Sequence, residues 1–410
     1  MMALSVPVGY AIGIATFITL SCFSNIPVAL ITQNAITGCD SFPLMAIPFF
    51  MLAGNLMSSG GIAKRIVDFA DTLLGWIQGG LCIVTTIACM FFAAISGSAM
   101  ATTSAIGGFM IPEMEKRGYS RPFSAALAAS AGTIGVIIPP SIPFVIYAVV
   151  VGESISDLFM AGIVPGILMG VVLIIVSVFR TGGENVSKGE RPTFKKVWVS
   201  FKGAFWALLT PVIILGGIYS GILTPTESAA AAVIWALIAG MFIYKEVKLR
   251  DLYQIFLESA KSSAMVLFII ATSTAFAWLF AFAGISAQLV AFVNGLNLSA
   301  ATFCLITAFI LLIFGTFLEG IATAVLMVPV MWPIAQSFGI DVIHFGMIVS
   351  ISNVIGTMTP PVAVNIFSAS SVSKLKMGAI AKGQMPFFIG YVAVFFLVVL
   401  FPQITALFTG

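Results

Sequence analysis

Charge is scarce in this chain: only 8% of its 410 residues are Asp, Glu, Lys or Arg, where a soluble domain carries about 25%. With 60% of residues hydrophobic and a mean hydropathy of +1.14, so few charges cannot dress a water-exposed surface. That excludes a soluble enzyme, a nucleic-acid binder and a secreted disulfide scaffold. Cysteine is sparse too, and Cys22, Cys39, Cys82, Cys89 and Cys304 form no C-x-x-C pair, so they read as small apolar packing residues. There is one histidine, His344. No Gly-rich Lys-Ser/Thr phosphate loop appears, so ATP does not drive the chain directly, and metalloprotease and aspartate-rich prenyl-transferase patterns are missing. No cleavable signal is evident, and the first apolar run is expected to begin the membrane domain.

Present instead are apolar runs of membrane-spanning length. They lie at about 3 to 20, 43 to 58, 79 to 115, 122 to 150, 158 to 179, 203 to 222, 226 to 244, 262 to 282, 299 to 338, 343 to 372 and 386 to 404. The runs 79 to 115 and 299 to 338 are too long for one crossing. Each contains a polar or glycine turn, Ser96-Gly97-Ser98 and Glu319-Gly320, at which it is expected to double back. Threading the chain through these segments puts all 18 basic residues on one face, Lys64, Arg117, Lys188 and Lys382 among them, while Asp40, Glu153, Asp157 and Asp341 fall on the other. The basic face reads as cytoplasmic, with the N-terminus inside and the C-terminus outside.

One long polar stretch, Thr181 to Lys202, separates two halves. An offset of 221 aligns Thr102 with Thr323, Pro112 with Pro333, Gly135 with Gly356, Pro139 with Pro360, Pro140 with Pro361, Gly162 with Gly383 and Pro165 with Pro386. The threading places the two doubled-back segments on opposite faces, so the repeats are expected to be inverted.

Helix breaks are the most informative chemistry. In Gly135-Val-Ile-Ile-Pro-Pro140 the two prolines cannot donate to the carbonyls four residues back, which frees the oxygens of Gly135 and Val136. In the second half the freed oxygens belong to Gly356 and Thr357. Such oxygens at membrane depth are costly unless they line a polar cavity or bind something, although a simple packing kink is the plainer alternative. The Ser96-Gly97-Ser98 turn offers hydroxyls and carbonyls to a cation and helix-start N–H groups to a carboxylate, or serves only close helix packing. Its counterpart is the turn from Thr316 to Thr323. Glu319 reads equally as an intramembrane functional carboxylate or as the partner of Thr316 in a capping box, whereas Glu227, in Thr224-Pro-Thr-Glu227, reads as a helix start. His344 reads as solvated or structural. Carbonyls and hydroxyls, rather than chains of buried Asp, Glu or His, suit sodium better than protons.

Several stretches together resemble the large membrane subunit of tripartite ATP-independent periplasmic (TRAP) transporters over nearly the full length. They are Pro43-Leu-Met-Ala-Ile-Pro-Phe-Phe-Met-Leu-Ala-Gly54, Ser96-Gly-Ser-Ala99, Gly135-Val-Ile-Ile-Pro-Pro140, Leu158-Phe-Met-Ala-Gly-Ile-Val-Pro-Gly166, Thr224-Pro-Thr-Glu227 and Gly356-Thr-Met-Thr-Pro-Pro361. The resemblance implies an all-α polytopic membrane protein of the bacterial inner membrane, an elevator-type secondary transporter with inverted repeats, two re-entrant hairpins and two broken helices. The division it implies is scaffold and arm over 1–78, a first transport repeat over 79–180, a basic cytoplasmic loop over 181–202, scaffold and arm over 203–298, a second transport repeat over 299–385 and a final span over 386–410. Amphipathic pieces at about 61 to 74 and 247 to 260 suit the arms.

It further implies sodium-driven uptake of an organic acid, whether a C4-dicarboxylate, a sialic acid or another sugar acid. A periplasmic binding protein would deliver it, and a small four-span membrane subunit, not fused to this chain, would assist. Carried residue by residue, one cation site falls among Gly97, Ser98, Gly132, Gly135, Val136 and Pro139, and a second among Glu319, Gly320, Gly356, Thr357 and Thr359. Ser96, Ser98, Ser141, Thr323, Asn353 and Thr359 are the implied substrate neighbours. Only six residues precede Pro7, a shorter lead than relatives usually have, which suggests a late or trimmed start. The alternatives are a stand-alone dicarboxylate/sodium symporter of similar architecture and a non-transporting membrane scaffold.

Overall fold

The computed structural model of the chain describes residues 6–23, 27–182, 186–187, 189–318, 320–360 and 363–407. Glu319, Pro361 and Lys188 lie outside the described residues. The helices are, in order, α1 (Val8–Phe23), α2 (Ala29–Cys39), α3 (Ala46–Ser59), α4 (Ile62–Leu74), α5 (Gly80–Ser96), α6 (Ala99–Lys116), α7 (Arg121–Thr133), α8 (Ile142–Val151), α9 (Ile155–Thr181) and α10 (Phe194–Tyr219). There follow α11 (Pro225–Leu237), α12 (Leu249–Phe282), α13 (Ile285–Gly295), α14 (Ala300–Phe317), α15 (Gly320–Ser337), α16 (Val342–Thr357), α17 (Val364–Ser373), α18 (Met377–Leu400) and the short α19 (Gln403–Ala406). Among the described residues there is no strand, and eight helical stretches are long and apolar enough to cross a membrane. In hydrocarbon the backbone must satisfy its own polar groups, and helices do this within one segment.

Local chemistry explains where the helices stop. At Ser96-Gly97-Ser98, Gly97 takes a left-handed φ of +57° and closes α5, and the Ser98 hydroxyl accepts from the Ala101 N–H at 3.4 Å to start α6. At the first helix break α7 runs into a 3-10 turn over Ile134–Val136, and α8 restarts after the prolines. The Ser141 hydroxyl joins the two pieces: it donates to Val136 O at 2.6 Å and accepts from the Phe144 N–H at 3.4 Å. At the second break the Thr359 N–H donates to Gly356 O at 2.9 Å, and its hydroxyl donates to Ile355 O at 2.8 Å. These bonds correct the sequence reading, in which the oxygens of Val136 and Gly356 had no partner. A carbonyl oxygen has two lone pairs, so one bond leaves room for a further ligand.

The 221-residue offset extends from residues to elements. The starts of α5 and α14 (Gly80, Ala300), α6 and α15 (Ala99, Gly320), α7 and α16 (Arg121, Val342), α8 and α17 (Ile142, Val364), and α9 and α18 (Ile155, Met377) lie 220 to 222 residues apart. The same offset pairs α2–α3 with α12 and α4 with α13. The paired members α2–α3 and α12 lie side by side and antiparallel. Asn55 donates to the Ser259 hydroxyl at 2.8 Å near one end, and Gly38 packs on Thr274 near the other.

Several expectations change. Between the first two apolar runs, α2 occupies 29–39 and continues into the second span through a 3-10 turn, Phe42–Met45. The amphipathic piece at 247 to 260 is not a separate arm. It forms the first turns of α12, a continuous helix of 34 residues, and the element 221 residues after α4 is α13. Thr316 lies within α14 and its hydroxyl donates to Ile313 O at 2.8 Å, while Glu319, its partner in the expected capping box, lies outside the described residues. Glu227 does complete a capping box with Thr224, accepting from its N–H at 2.8 Å while the Thr224 hydroxyl accepts from the Glu227 N–H at 3.3 Å. His344 is buried at 4% exposure, with Nδ1 3.5 Å from the Thr405 hydroxyl.

Six basic residues, Arg65, Lys116, Arg117, Arg121, Lys196 and Arg250, meet acidic partners. Arg117, after α6, pairs with Asp71 of α4 at 2.7 Å and with Glu113 at 3.4 Å. Burial disfavours its charge, but the hydrogen bond and charge of Asp71, with those of Glu113, outweigh that and hold its pKa above the usual arginine value. Ser187 and Gly189, from the stretch between the halves, donate to Arg117 O and Gly75 O at 2.9 and 3.0 Å.

Candidate functional site

The two hairpin turns and the two helix breaks meet around one cavity of about 160 Å³. Its wall takes Gly97, Ser98 and Ala99 from the first turn, and Gly320 and Ile321 from the second. Val136, Ile142 and Pro143 come from the first break, and Asn353, Thr357, Val364 and Asn365 from the second. Helices α3 and α12 close the remaining side with Met51, Ser262 and Met265. A second cavity of about 220 Å³ adjoins it, sharing Met51, Ser98, Met100 and Ser262 and adding Asn55 and Ser96.

Electrostatics here come from the backbone. Four helices, α6, α8, α15 and α17, begin at the main cavity, and no Asp, Glu, Lys or Arg is among its described lining residues. A helix start carries roughly half a positive charge on its free N–H groups, so an anion can be held there without a basic side chain. Ends converge too: α5 stops at Ser96, the turn after α7 at Val136, and α16 at Thr357, and these present the opposite, carbonyl pole. One small volume therefore offers both an anion pole and a cation pole. Among the described residues no group of three or more His, Cys, Asp or Glu could hold a metal ion.

Close approach of backbones makes this convergence possible. A Cβ on Gly356 would stand 2.6 Å from Gly315 Cα, C and O, and one on Gly132 only 3.0 Å from the Thr103 backbone nitrogen and 3.1 Å from Ala99 O. Gly97 faces Pro140 O, and Gly135 faces Ala93, Thr102 and Ser98 O.

The expected site residues divide as follows. Gly97, Ser98, Val136, Gly320, Asn353 and Thr357 line the main cavity, and Ser96 lines the adjoining one. Gly132 and Gly135 sit one layer behind, against the first turn, and Gly356 packs against α14. Pro139 and Thr323 are buried without lining either cavity. The hydroxyls of Ser141, Thr357 and Thr359 are turned onto the backbone oxygens of Val136, Val354 and Ile355, so Ser141 and Thr359 stand away from the cavity. Sequence reasoning missed Met51, Ser262, Met265 and Asn365. For Asn365 a signal existed: a lone amide in an apolar stretch directly after a helix break.

The family model for the DctM component of the tripartite ATP-independent periplasmic transporters matches residues 1–404. The isethionate TRAP transporter permease protein DctMQ of Oleidesulfovibrio alaskensis is 40% identical over all of this chain, which spans 65% of that relative's length. The C4-dicarboxylate TRAP transporter large permease protein DctM of Pseudomonas aeruginosa is 39% identical over 92% of this chain and 88% of its own. In fold alone, the chain is similar to the YdaH transporter of Alcanivorax borkumensis, with a TM-score of 0.68, 12% identity and 97% of each chain covered. The chain thus belongs to the DctM family of TRAP transporter large permeases, which are multi-pass proteins of the inner membrane.

Proposed function

We propose that this chain is the membrane carrier of a sodium-coupled uptake system for an organic anion handed over by a soluble periplasmic binding protein. The observation that carries the reading is a cavity, with no Asp, Glu, Lys or Arg among its described lining residues, on which four helix starts and three helix ends converge. Starts suit an anion and ends suit a cation, so the two bind best together, which is what coupling requires. Gly97, Ser98, Gly132, Gly135, Val136 and Pro139 would form one sodium site, and Glu319, Gly320, Gly356, Thr357 and Thr359 the other. The names of the relatives, an isethionate and a C4-dicarboxylate permease, support a small organic anion as cargo. Family members work with a small membrane subunit and a periplasmic binding protein, and both are proposed partners of this chain.

The motion we propose is an elevator. Antiparallel packing of α2–α3 on α12, paired by the 221-residue offset, supports a two-fold relation between inverted halves. Exchanging the packing of the two hairpins across that axis would carry the cavity from one face to the other. The one-sided distribution of the basic residues supports a cytoplasmic N-terminus. Reconstitution of the chain with its small subunit in proteoliposomes, with binding protein added outside, tests the proposal. Uptake is expected only when sodium and binding protein are both present. Strong uptake without the binding protein would point to a stand-alone symporter, and strong uptake without sodium would remove the coupling.

A further inference from the structure

We infer that Ser262 is the scaffold hydroxyl that meets the bound anion in this conformation, and that Ser41, its equivalent 221 residues earlier, takes its place when the cavity faces the other side. This inference rests on the organic-anion and elevator readings above and adds to them the scaffold's own contact with the substrate.

Two contacts locate the axis that relates α2–α3 to α12. Asn55 meets Ser259, and Gly38 meets Thr274. The midpoint therefore falls near Ala46 on one side and Leu267 on the other, residues that are themselves 221 apart. The main cavity lies wholly to one side of that midpoint. Its wall takes Met51, after Ala46, and Ser262, Met265 and Val266, before Leu267. A separate cavity of about 390 Å³ lies wholly to the other side, lined by Ser41 and Leu44, before Ala46, and by Ile270, Ser273 and Thr274, after Leu267. Lys261 directly precedes Ser262 and Asp40 directly precedes Ser41, as opposite ends of the scaffold require.

The two ends carry matching pairs. Ser262 and Met265, three residues apart, share one face of α12, and their equivalents Ser41 and Leu44 share one face of a 3-10 turn. What differs is their cover: Met265 is 52% exposed and Leu44 only 2%. Helix α8 packs on the turn that carries Leu44, which closes that end and leaves the Met265 end bare. The pairs stand about three or four residues to either side of the midpoint, so at 1.5 Å per helical residue the exchange moves the cavity about 10 Å.

The Ser262 hydroxyl is available to a ligand. The residue is exposed, and its hydroxyl has no hydrogen-bond partner among the described residues, whereas Ser259, just before it, donates to Ile255 O at 2.7 Å. Ser41 likewise starts its turn without a side-chain cap bond. Such a hydroxyl can donate to an oxygen of an anion whose other oxygens face the helix starts around Ser98 and Gly320.

The test measures dissociation constants for isethionate and succinate on the purified chain with its small subunit, in sodium, by ligand-dependent thermal stabilisation. Ser262→Ala is expected to weaken the better-bound probe about tenfold or more, the scale of a hydrogen bond to a charged group. Ser262→Thr should stay within a few-fold of wild type, and Ser41→Ala should change nothing. Alanine favours a helix more than serine does, so the exposed Ser262 position tolerates it. The roles should reverse in the opposite conformation. Leu44 and Ile321 are the equivalents of Met265 and Met100, which line one cavity here. Leu44→Cys with Ile321→Cys, in a chain with Cys22 and Cys39 changed to serine, is therefore expected to accept a short thiol cross-linker. In the cross-linked carrier Ser41→Ala should weaken binding and Ser262→Ala should not. Wild-type affinity in Ser262→Ala, equal weakening by Ser262→Thr, weakening by Ser41→Ala without the cross-link, or no cross-link at all would overturn the inference and leave the organic-anion reading intact. Failure of both probes to bind the natural chain would overturn both readings.

Discussion

Replacing Gly356 by alanine adds a single methyl group where two helix backbones touch. The new Cβ would lie 2.6 Å from Gly315 Cα, C and O, against ordinary contacts of 3.4–4 Å. The obstacle is backbone and cannot rotate away, so α14 and α16 must separate by about an ångström. Overpacking of this kind costs about 1–3 kcal/mol, or roughly a 5- to 150-fold loss in the population of the packed arrangement at about 1.4 kcal/mol per factor of ten. The equivalent glycine in the first half, Gly135, is less constrained. Its added Cβ would stand 3.2 Å from the Ala93 Cβ and the Thr102 hydroxyl, and a shift of a few tenths of an ångström relieves both. Gly135→Ala is therefore expected to lose only a few-fold, under about 1 kcal/mol. Gly216, with nothing within 4 Å of an added Cβ, is the control, and alanine there is expected to be neutral or to gain up to about 1 kcal/mol of helix propensity. Sodium-dependent uptake and the melting temperature, measured on all three purified variants, check the series. Wild-type uptake and melting for Gly356→Ala beside a severe loss for Gly135→Ala would refute the packing argument.

Further outcomes follow from single interactions. Ser141→Ala removes both the cap of α8 and the bond to Val136 O and is expected to cost about 1–2 kcal/mol in denaturant stability; an unchanged midpoint would show that the break is held otherwise. Asp71→Ala leaves Arg117, 18% exposed, with only its longer contact to Glu113. The expected loss is about 1–3 kcal/mol, between that of a surface and a buried pair; a melting temperature equal to wild type, measured at low salt, would contradict it. Thr224→Val should lower stability by about 1 kcal/mol through loss of the capping box, visible as a lower midpoint with an unchanged denaturant slope, and an unmoved midpoint would count against that role.

What could be read from the sequence was whatever is written in short-range backbone chemistry. Proline pairs, the glycine turn at Gly97 and the Thr224 to Glu227 cap act within four residues, and the helices stop and start beside them. Reading failed where a distant surface decides. Helix α2 carries Thr32, Gln33, Asn34 and Thr37 and so resembles a loop, yet it is helical against α12. Its polar groups turn inward onto its own backbone, Asn34 to Leu30 O and Thr37 to Gln33 O. The charges of Arg250, Asp251, Glu258 and Lys261 suggested a separate amphipathic arm, but no glycine or proline interrupts Leu249 to Phe282, so one helix runs through. Asn365 escaped notice because its place in the cavity wall depends on Ala129 O, 236 residues away. Ser141 and Thr359 illustrate the converse: hydroxyls at the right position in the sequence were drawn into local backbone bonds.

The most direct test of the central claim is accumulation under a sodium gradient alone. Proteoliposomes holding the chain and its small subunit, with binding protein outside and the membrane potential clamped, would be loaded with substrate at the external concentration. An inward sodium gradient should drive internal substrate above the external level, and a sodium ionophore should abolish the accumulation. Accumulation that persists with sodium equal on both sides, or that follows a proton gradient instead, would contradict the account.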